Sequence, residues 1–220
     1  MYKRQDADGR QDLGFLAGFG ATLVQVVSGA DGSLIRELNG GTNWGPILSF
    51  VSAGDHDGDG FDDIALGTNS QQTIEVHSGA TGEVLLVIPG VAGAGQMLRS
   101  AGDVDGDGIV DFASSDLFHA MLFSGAYGQL LWSRPLPLHF GMGSTIAQPS
   151  MAAGEDIDGD AVPDVVVGMY SSQAGGLNSG EVLAFSGASG KPVLRLLGQP
   201  CDGLGTKLSL GDLDGDGLAD

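Results

Sequence analysis

Short apolar runs alternate with glycine-bearing breaks along the whole chain, and the breaks recur at similar intervals. Runs at 23–27, 74–77, 120–123 and 182–185 each lead into a Ser-Gly-Ala-x-Gly sequence, beginning at Ser28, Ser78, Ser124 and Ser186. Each is followed by a further run, as at 83–88 and 129–132. Two glycines in a five-residue connection supply the positive φ angles that a hairpin requires. Another pair of runs, 49–53 and 64–67, flanks an Asp-rich loop. No segment holds a 3.6-residue period over ten residues, so very little helix is expected. The pattern predicts an all-β chain made of repeated units of four antiparallel strands.

The Asp-rich loop carries the period. Its first residue falls at Asp55, Asp103, Asp156 and Asp212, at intervals of 48, 53 and 56 residues. A degenerate copy around Asp6, Asp8 and Asp12 fits an interval of 51. A period near 50 residues with four short strands per unit is that of a β-propeller blade. About four blades fit the chain. Glycine, at 39 of 220 residues, is more than double its background of about 7%, as tight turns between many strands demand.

The loop chemistry is coherent position by position. In 55–63, Asp55, Asp57, Asp59 and Asp63 occupy positions 1, 3, 5 and 9, and the backbone carbonyl of Phe61 falls at position 7. The same places hold Asp103, Asp105, Asp107, Ile109 and Asp111 in 103–111, and Asp156, Asp158, Asp160, Val162 and Asp164 in 156–164. In 212–220 they hold Asp212, Asp214, Asp216, Leu218 and Asp220. Clustered hard oxygens in a tight glycine loop point to Ca²⁺, about one per blade. One Asp-Gly pair would be read as a turn. Four aligned sets of four carboxylates repel strongly without a cation. The degenerate loop 6–12 would offer Asp6, Asp8, the Arg10 carbonyl and Asp12, but has Arg4 at position 1. The loop at Asp156 carries Ala161 and Pro163 at positions 6 and 8. A non-glycine residue with positive φ costs about 1 kcal/mol, so weaker binding is expected there. An EF-hand is excluded, because its twelfth-position acid is replaced by Leu66, Ser114 and Val167.

Charge then changes meaning. The formal net charge is −19, but 20 of the 23 aspartates lie in the five loops, and the remainder is nearly neutral. The acidity is metal-site charge rather than a steering field. Nine Lys and Arg with no basic stripe argue against nucleic-acid binding. Cys201 is the single cysteine, so no intrachain disulfide forms. No stretch reaches the roughly 18 apolar residues of a membrane span.

No catalytic residue is identified. His56, His77, His119 and His139 stand in none of the familiar nucleophile or zinc contexts. His56 is expected to face solvent and His77 to lie on a strand surface. The clusters 90–95 and 175–180 read as turns, not phosphate loops. Trp44, Trp132, Tyr127, Tyr170 and His139 fit inter-blade packing better than a ligand-binding face.

These units resemble FG-GAP repeats, the blades of the integrin α-subunit propeller and of many bacterial secreted proteins. The resemblance covers nearly all of 6–220, most strongly at the Asp loops. Phe140-Gly141 keeps the first half of the signature; Gly67-Thr68-Asn69 and Gly168-Met169-Tyr170 stand where Gly-Ala-Pro is usual. The family implies a seven-bladed ring, of which this chain would be an incomplete part. It implies a secreted or cell-surface protein: a non-catalytic module that binds a protein or carbohydrate through propeller loops. The alternatives are an accessory domain of a secreted hydrolase or polysaccharide lyase, and a structural spacer of a large surface protein. Met1 to Gln5 resemble the translated end of a transposon adaptor, so 1–5 are read as non-native and 6–220 as the propeller fragment; the alternative is a natural, degenerate first repeat. The last residue being the ninth of its loop gives the same expectation at the other end.

Overall fold

The computed structural model describes residues 2–3, 10–18, 23–39, 47–68, 73–89, 95–137 and 148–220. They form four sheets, each a four-stranded antiparallel meander in chain order. The first holds β1 (Tyr2–Lys3), β2 (Gln11–Ala17), β3 (Leu23–Val27) and β4 (Leu34–Asn39). The second holds β5 (Ile47–Gly54), β6 (Asp63–Thr68), β7 (Ile74–His77) and β8 (Val84–Ile88). The third holds β9 (Met97–Gly102), β10 (Asp111–Ser115), β11 (His119–Phe123) and β12 (Leu130–Pro135). The fourth holds β13 (Ser150–Glu155), β14 (Asp164–Met169), β15 (Glu181–Phe185) and β16 (Pro192–Leu197). No helix occurs among the described residues. The predicted strands match within one to three residues at their ends. Tyr2–Lys3, in the stretch read as foreign, pairs with Gln11 and Asp12 at the edge of the first sheet. Backbone pairing reads no side chains, so that edge position says nothing of their origin.

Burial explains why the strands differ in composition. The inner strands β6, β7, β10, β14 and β15 are buried along nearly their whole length. Strands covered on both faces read as continuous runs of apolar and small residues, such as Asp-Val-Val-Val-Gly-Met in β14. Outer strands β4, β8 and β12 mix exposed and half-buried positions with one buried residue each, Leu38, Ile88 and Trp132.

The chain divides into two compact units, 1–98 with 125–129, and 99–124 with 130–220. In the first, Val24, Val26 and Leu38 pack against Ile47, Ile64 and Leu66, so the first sheet is sealed by the first two strands of the second. The Arg36 guanidinium also donates to the Ala80 carbonyl in the second sheet's hairpin. The second unit repeats the device. Trp132 of β12 lies against Phe185, ring centroids 6.1 Å apart, and its Nε1 donates to the Gly187 carbonyl at 2.7 Å. Arg134 donates to the Gly190 and Ser189 carbonyls, both at 2.8 Å. An outer-strand side chain of one sheet thus caps hairpin carbonyls of the next.

Glycine is required where a second strand touches the backbone of a turn outside its own sheet. A Cβ on Gly67 would lie 2.1 Å from the Gly95 carbonyl oxygen, and one on Gly168 2.4 Å from that of Gly205. Neither oxygen can yield without moving main chain. Gly168→Ala is therefore expected to destabilise the protein by about 3 kcal/mol. Urea denaturation of the purified variant checks this; an unchanged midpoint would refute the contact.

Candidate metal centre

The Asp loops at 55–63, 103–111 and 156–164 each link the first and second strands of a sheet, and in these as in 212–220 the loop's own carboxylates fold it. The position-1 carboxylate accepts the N–H of position 6: Gly60 on Asp55 at 3.0 Å, Gly108 on Asp103 at 3.0 Å, Ala161 on Asp156 at 2.8 Å and Gly217 on Asp212 at 3.1 Å. The position-3 carboxylate accepts the N–H of position 5, at 3.1, 3.3, 3.2 and 3.0 Å in chain order. These bonds wrap the backbone around the acids, which needs positive φ at positions 4 and 6. Glycines supply it, except Ala161, which takes φ +66, as its position predicts.

Positions 1, 3 and 9 converge. Asp55, Asp57 and Asp63 each offer an oxygen within 4.8 Å of the others, as do Asp103, Asp105 and Asp111. So do Asp156, Asp158 and Asp164, and Asp212, Asp214 and Asp220. Asp59, Asp107, Asp160 and Asp216 at position 5 stand outside these triads. Each accepts the N–H of position 7 instead, from Phe61, Ile109, Val162 and Leu218 at 2.8–2.9 Å. In the degenerate loop Arg10 is exposed and Asp12 fully buried; Asp6 and Asp8 lie outside the described residues.

The ninth-position aspartate does more than close the loop. Asp63, Asp111 and Asp164 are fully buried. Oδ2 of Asp63 accepts the N–H groups of His56 and Asp57 at 2.7 and 3.3 Å. Asp111 and Asp164 take the equivalent pairs. The other oxygen reaches the Ser-Gly-Ala hairpin: Gly79 N–H donates to Asp63 at 2.8 Å, Gly187 to Asp164 at 2.9 Å and Gly29 to Asp12 at 3.0 Å. A Cβ on Gly29 or Gly187 would lie 1.9 Å from the carbonyl of Gln11 or Pro163, the residue before that aspartate. The hairpin glycine is therefore fixed by close approach as well as turn geometry. The sequence reading treated loop and hairpin as separate motifs; their co-occurrence in every unit was the available signal.

Burial pushes the Asp63 and Asp164 carboxyls above the ordinary aspartate range. The hairpin and loop N–H bonds pull back the other way, and the neighbouring Asp57 and Asp158 charges add to the rise. The donor set is all oxygen. His56 takes no part: its ring Nε2 lies 3.0 Å from the Gly125 carbonyl, so the side chain is half-buried rather than solvent-facing. His77, expected on a surface, is buried beside Glu75, with Nε2 to Oε2 at 3.2 Å. His119 is exposed near Asp116. Trp132 packs in the interior, Tyr127 is largely exposed and Tyr170 partly so. Trp44 and His139 lie outside the described residues. No described helix is long and apolar enough to cross a membrane.

The chain resembles in fold a solved structure described as BBS1N in complex with ARL6DN, soaked with lead. The TM-score is 0.50 at 14% identity, over 76% of this chain and 48% of that one. The chain thus spans about half the length of its match. The likeness is one of fold, and with the four meanders it makes the sheets blades of a β-propeller. No protein-family model matches the sequence, and no curated protein matches it.

The raised carboxyls set a pH dependence. Without metal, the folded state holds these protons more tightly than the unfolded chain. Their contribution carries no penalty below the ordinary value of 3.8 and becomes destabilising as pH climbs through the raised folded values. In chelator, the stability of wild type relative to Asp164→Asn should fall across that window. A difference independent of pH, measured by urea denaturation, would contradict it.

Proposed function

We propose that this chain is an FG-GAP-type propeller segment that binds Ca²⁺ in its Asp loops and serves as a non-catalytic module. Convergence carries the reading: four loops each bring three carboxylates within 4.8 Å. Like charges so close repel unless a cation or a proton intervenes. Hard carboxylate oxygens without sulfur or imidazole suit Ca²⁺.

The carboxylates at positions 1, 3 and 9 would hold the ion. The position-5 carboxylate and the position-7 carbonyls of Phe61, Ile109, Val162 and Leu218 are the further oxygen ligands. Bound Ca²⁺ supplies positive charge that favours the ionised carboxylates. The chain's own groups do the rest. Loop N–H groups orient the acids, and the ninth aspartate transmits the loop's order to the hairpin. One site per blade is a stapling arrangement, since binding to the folded loop alone adds to folding free energy. The module would then present its exposed loops to a protein or carbohydrate in an extracellular or cell-surface setting, where millimolar calcium fills even modest sites.

Calorimetric titration of chelator-stripped protein with Ca²⁺ tests this. Saturable uptake at several sites and a raised melting temperature are expected; absence of uptake would overturn the proposal. Within the set, Ala161→Gly relieves the left-handed alanine. It should stabilise the protein by about 1 kcal/mol and tighten the 156–164 site, as read by differential scanning calorimetry with and without calcium.

A further inference from the structure

In two successive pairs, the start of one Asp loop meets position 8 of the next. Gly102 precedes the 103–111 loop and lies against Pro163, position 8 of the 156–164 loop. A Cβ on Gly102 would stand 3.0 Å from the Pro163 Cγ. The 156–164 loop meets the 212–220 loop in the same way. Ala219, at position 8, donates its N–H to the Asp156 carbonyl at 2.8 Å. Proline has no N–H, so the first contact is made by the ring and the second by a hydrogen bond.

A second contact runs through the hairpins. Position 2 of a loop reaches the Ser-Gly-Ala hairpin of the following sheet. Val104, buried, stands 3.1 Å from where a Cβ on Gly187 would be. His56 lies against the Gly125 carbonyl in the same sense. Gly187 N–H donates to Asp164, the ninth-position acid of the 156–164 loop. The 103–111 loop therefore bears on Asp164 twice, through the residue before it and through its hairpin donor.

These contacts fall on the metal-binding parts of each loop. Position 8 stands between the position-7 carbonyl and the position-9 carboxylate: Val162 and Asp164 in one loop, Leu218 and Asp220 in the next. Asp156, whose carbonyl receives the Ala219 N–H, is also the position-1 acid of its own loop. Its carboxylate accepts the N–H groups of Gly159 and Ala161, both at 2.8 Å.

We propose that the loops take up calcium with positive coupling from blade to blade, a property that rests on the calcium reading of the same sites. An ion at 103–111 fixes Gly102 and Val104, and these steady Pro163 and Gly187. An ion at 156–164 fixes the Asp156 carbonyl that holds Ala219. The next loop then loses less backbone freedom when its own ion arrives. The coupling is reciprocal. Charge alone predicts the opposite sign, because each bound ion reduces the negative potential that draws in the next. Tighter binding beside an occupied loop is therefore the mark of the contacts.

Calcium titrated into the chelator-stripped full chain, followed by amide NMR, is the test. The Gly108, Ala161 and Gly217 amides report the three loops separately, since each is bonded to its own position-1 carboxylate. Asp158→Asn weakens the 156–164 site, and the Gly217 midpoint should then rise about fivefold. Asp105→Asn should move the Ala161 midpoint in the same direction. Ala219→Pro removes the N–H that reaches Asp156 and touches no carboxylate; Pro163 shows that proline is accepted at this position. In that background Asp158→Asn should leave the Gly217 midpoint where it was. Three results would overturn the proposal: a Gly217 midpoint that ignores Asp158→Asn, one that falls, or one that rises as far with Ala219→Pro present. In each, calcium still titrates the loops and the calcium reading stands. A chain in which no loop responds to calcium loses both.

Discussion

The buried aspartate that opens each second strand is the joint on which the arrangement turns. One oxygen gathers two N–H groups from the acidic loop before it. The other reaches an N–H in a hairpin 16 residues later in one blade and 23 later in another. A buried carboxylate is costly unless hydrogen-bonded. Three main-chain donors meet that need and lock two loops into one rigid corner. The remaining loop acids are then held near one another rather than splayed by repulsion.

This joint accounts for the two kinds of glycine that the sequence shows in excess. Those at loop positions 4 and 6 allow the chain to coil around its own carboxylates. Those in the Ser-Gly-Ala hairpins let the backbone come within contact of the residue preceding the joint. Gly67 and Gly168 serve a third purpose, the close approach of a second strand to the backbone of a turn at Gly95 or Gly205. Only the first kind has an obvious local signature.

Much of the architecture was legible in the order of residues. The period near 50, the alternation of apolar runs with turn glycines, and the repeated Asp spacing led to four meanders of four strands and to the carboxylates that converge. Three things were not. Position 5 shares the loop's spacing yet stands apart from the triad, its carboxylate accepting the N–H of position 7. His77 sits at a strand end, where solvent was the reasonable expectation, but the inner strand that holds it is covered on both faces. The tie between loop and hairpin crosses sequence gaps that vary from unit to unit, so no fixed spacing announces it.

The caps from each outer strand to the following hairpin have a further bearing on how such a chain can change. Within a unit, adjacent sheets are keyed by Arg36, Trp132 and Arg134 gripping main-chain oxygens, not by the length of the segment between them. The connection at 170–180 in the fourth blade is far longer than its counterpart between Thr68 and Ile74 in the second, and both blades keep the same joint. The extra residues form a turn that folds back on the chain, with Ser171, Ser172 and Ser179 buried, while the loop-to-hairpin joint stays in place. Length can thus vary in this connection without disturbing the carboxylate joint beside it.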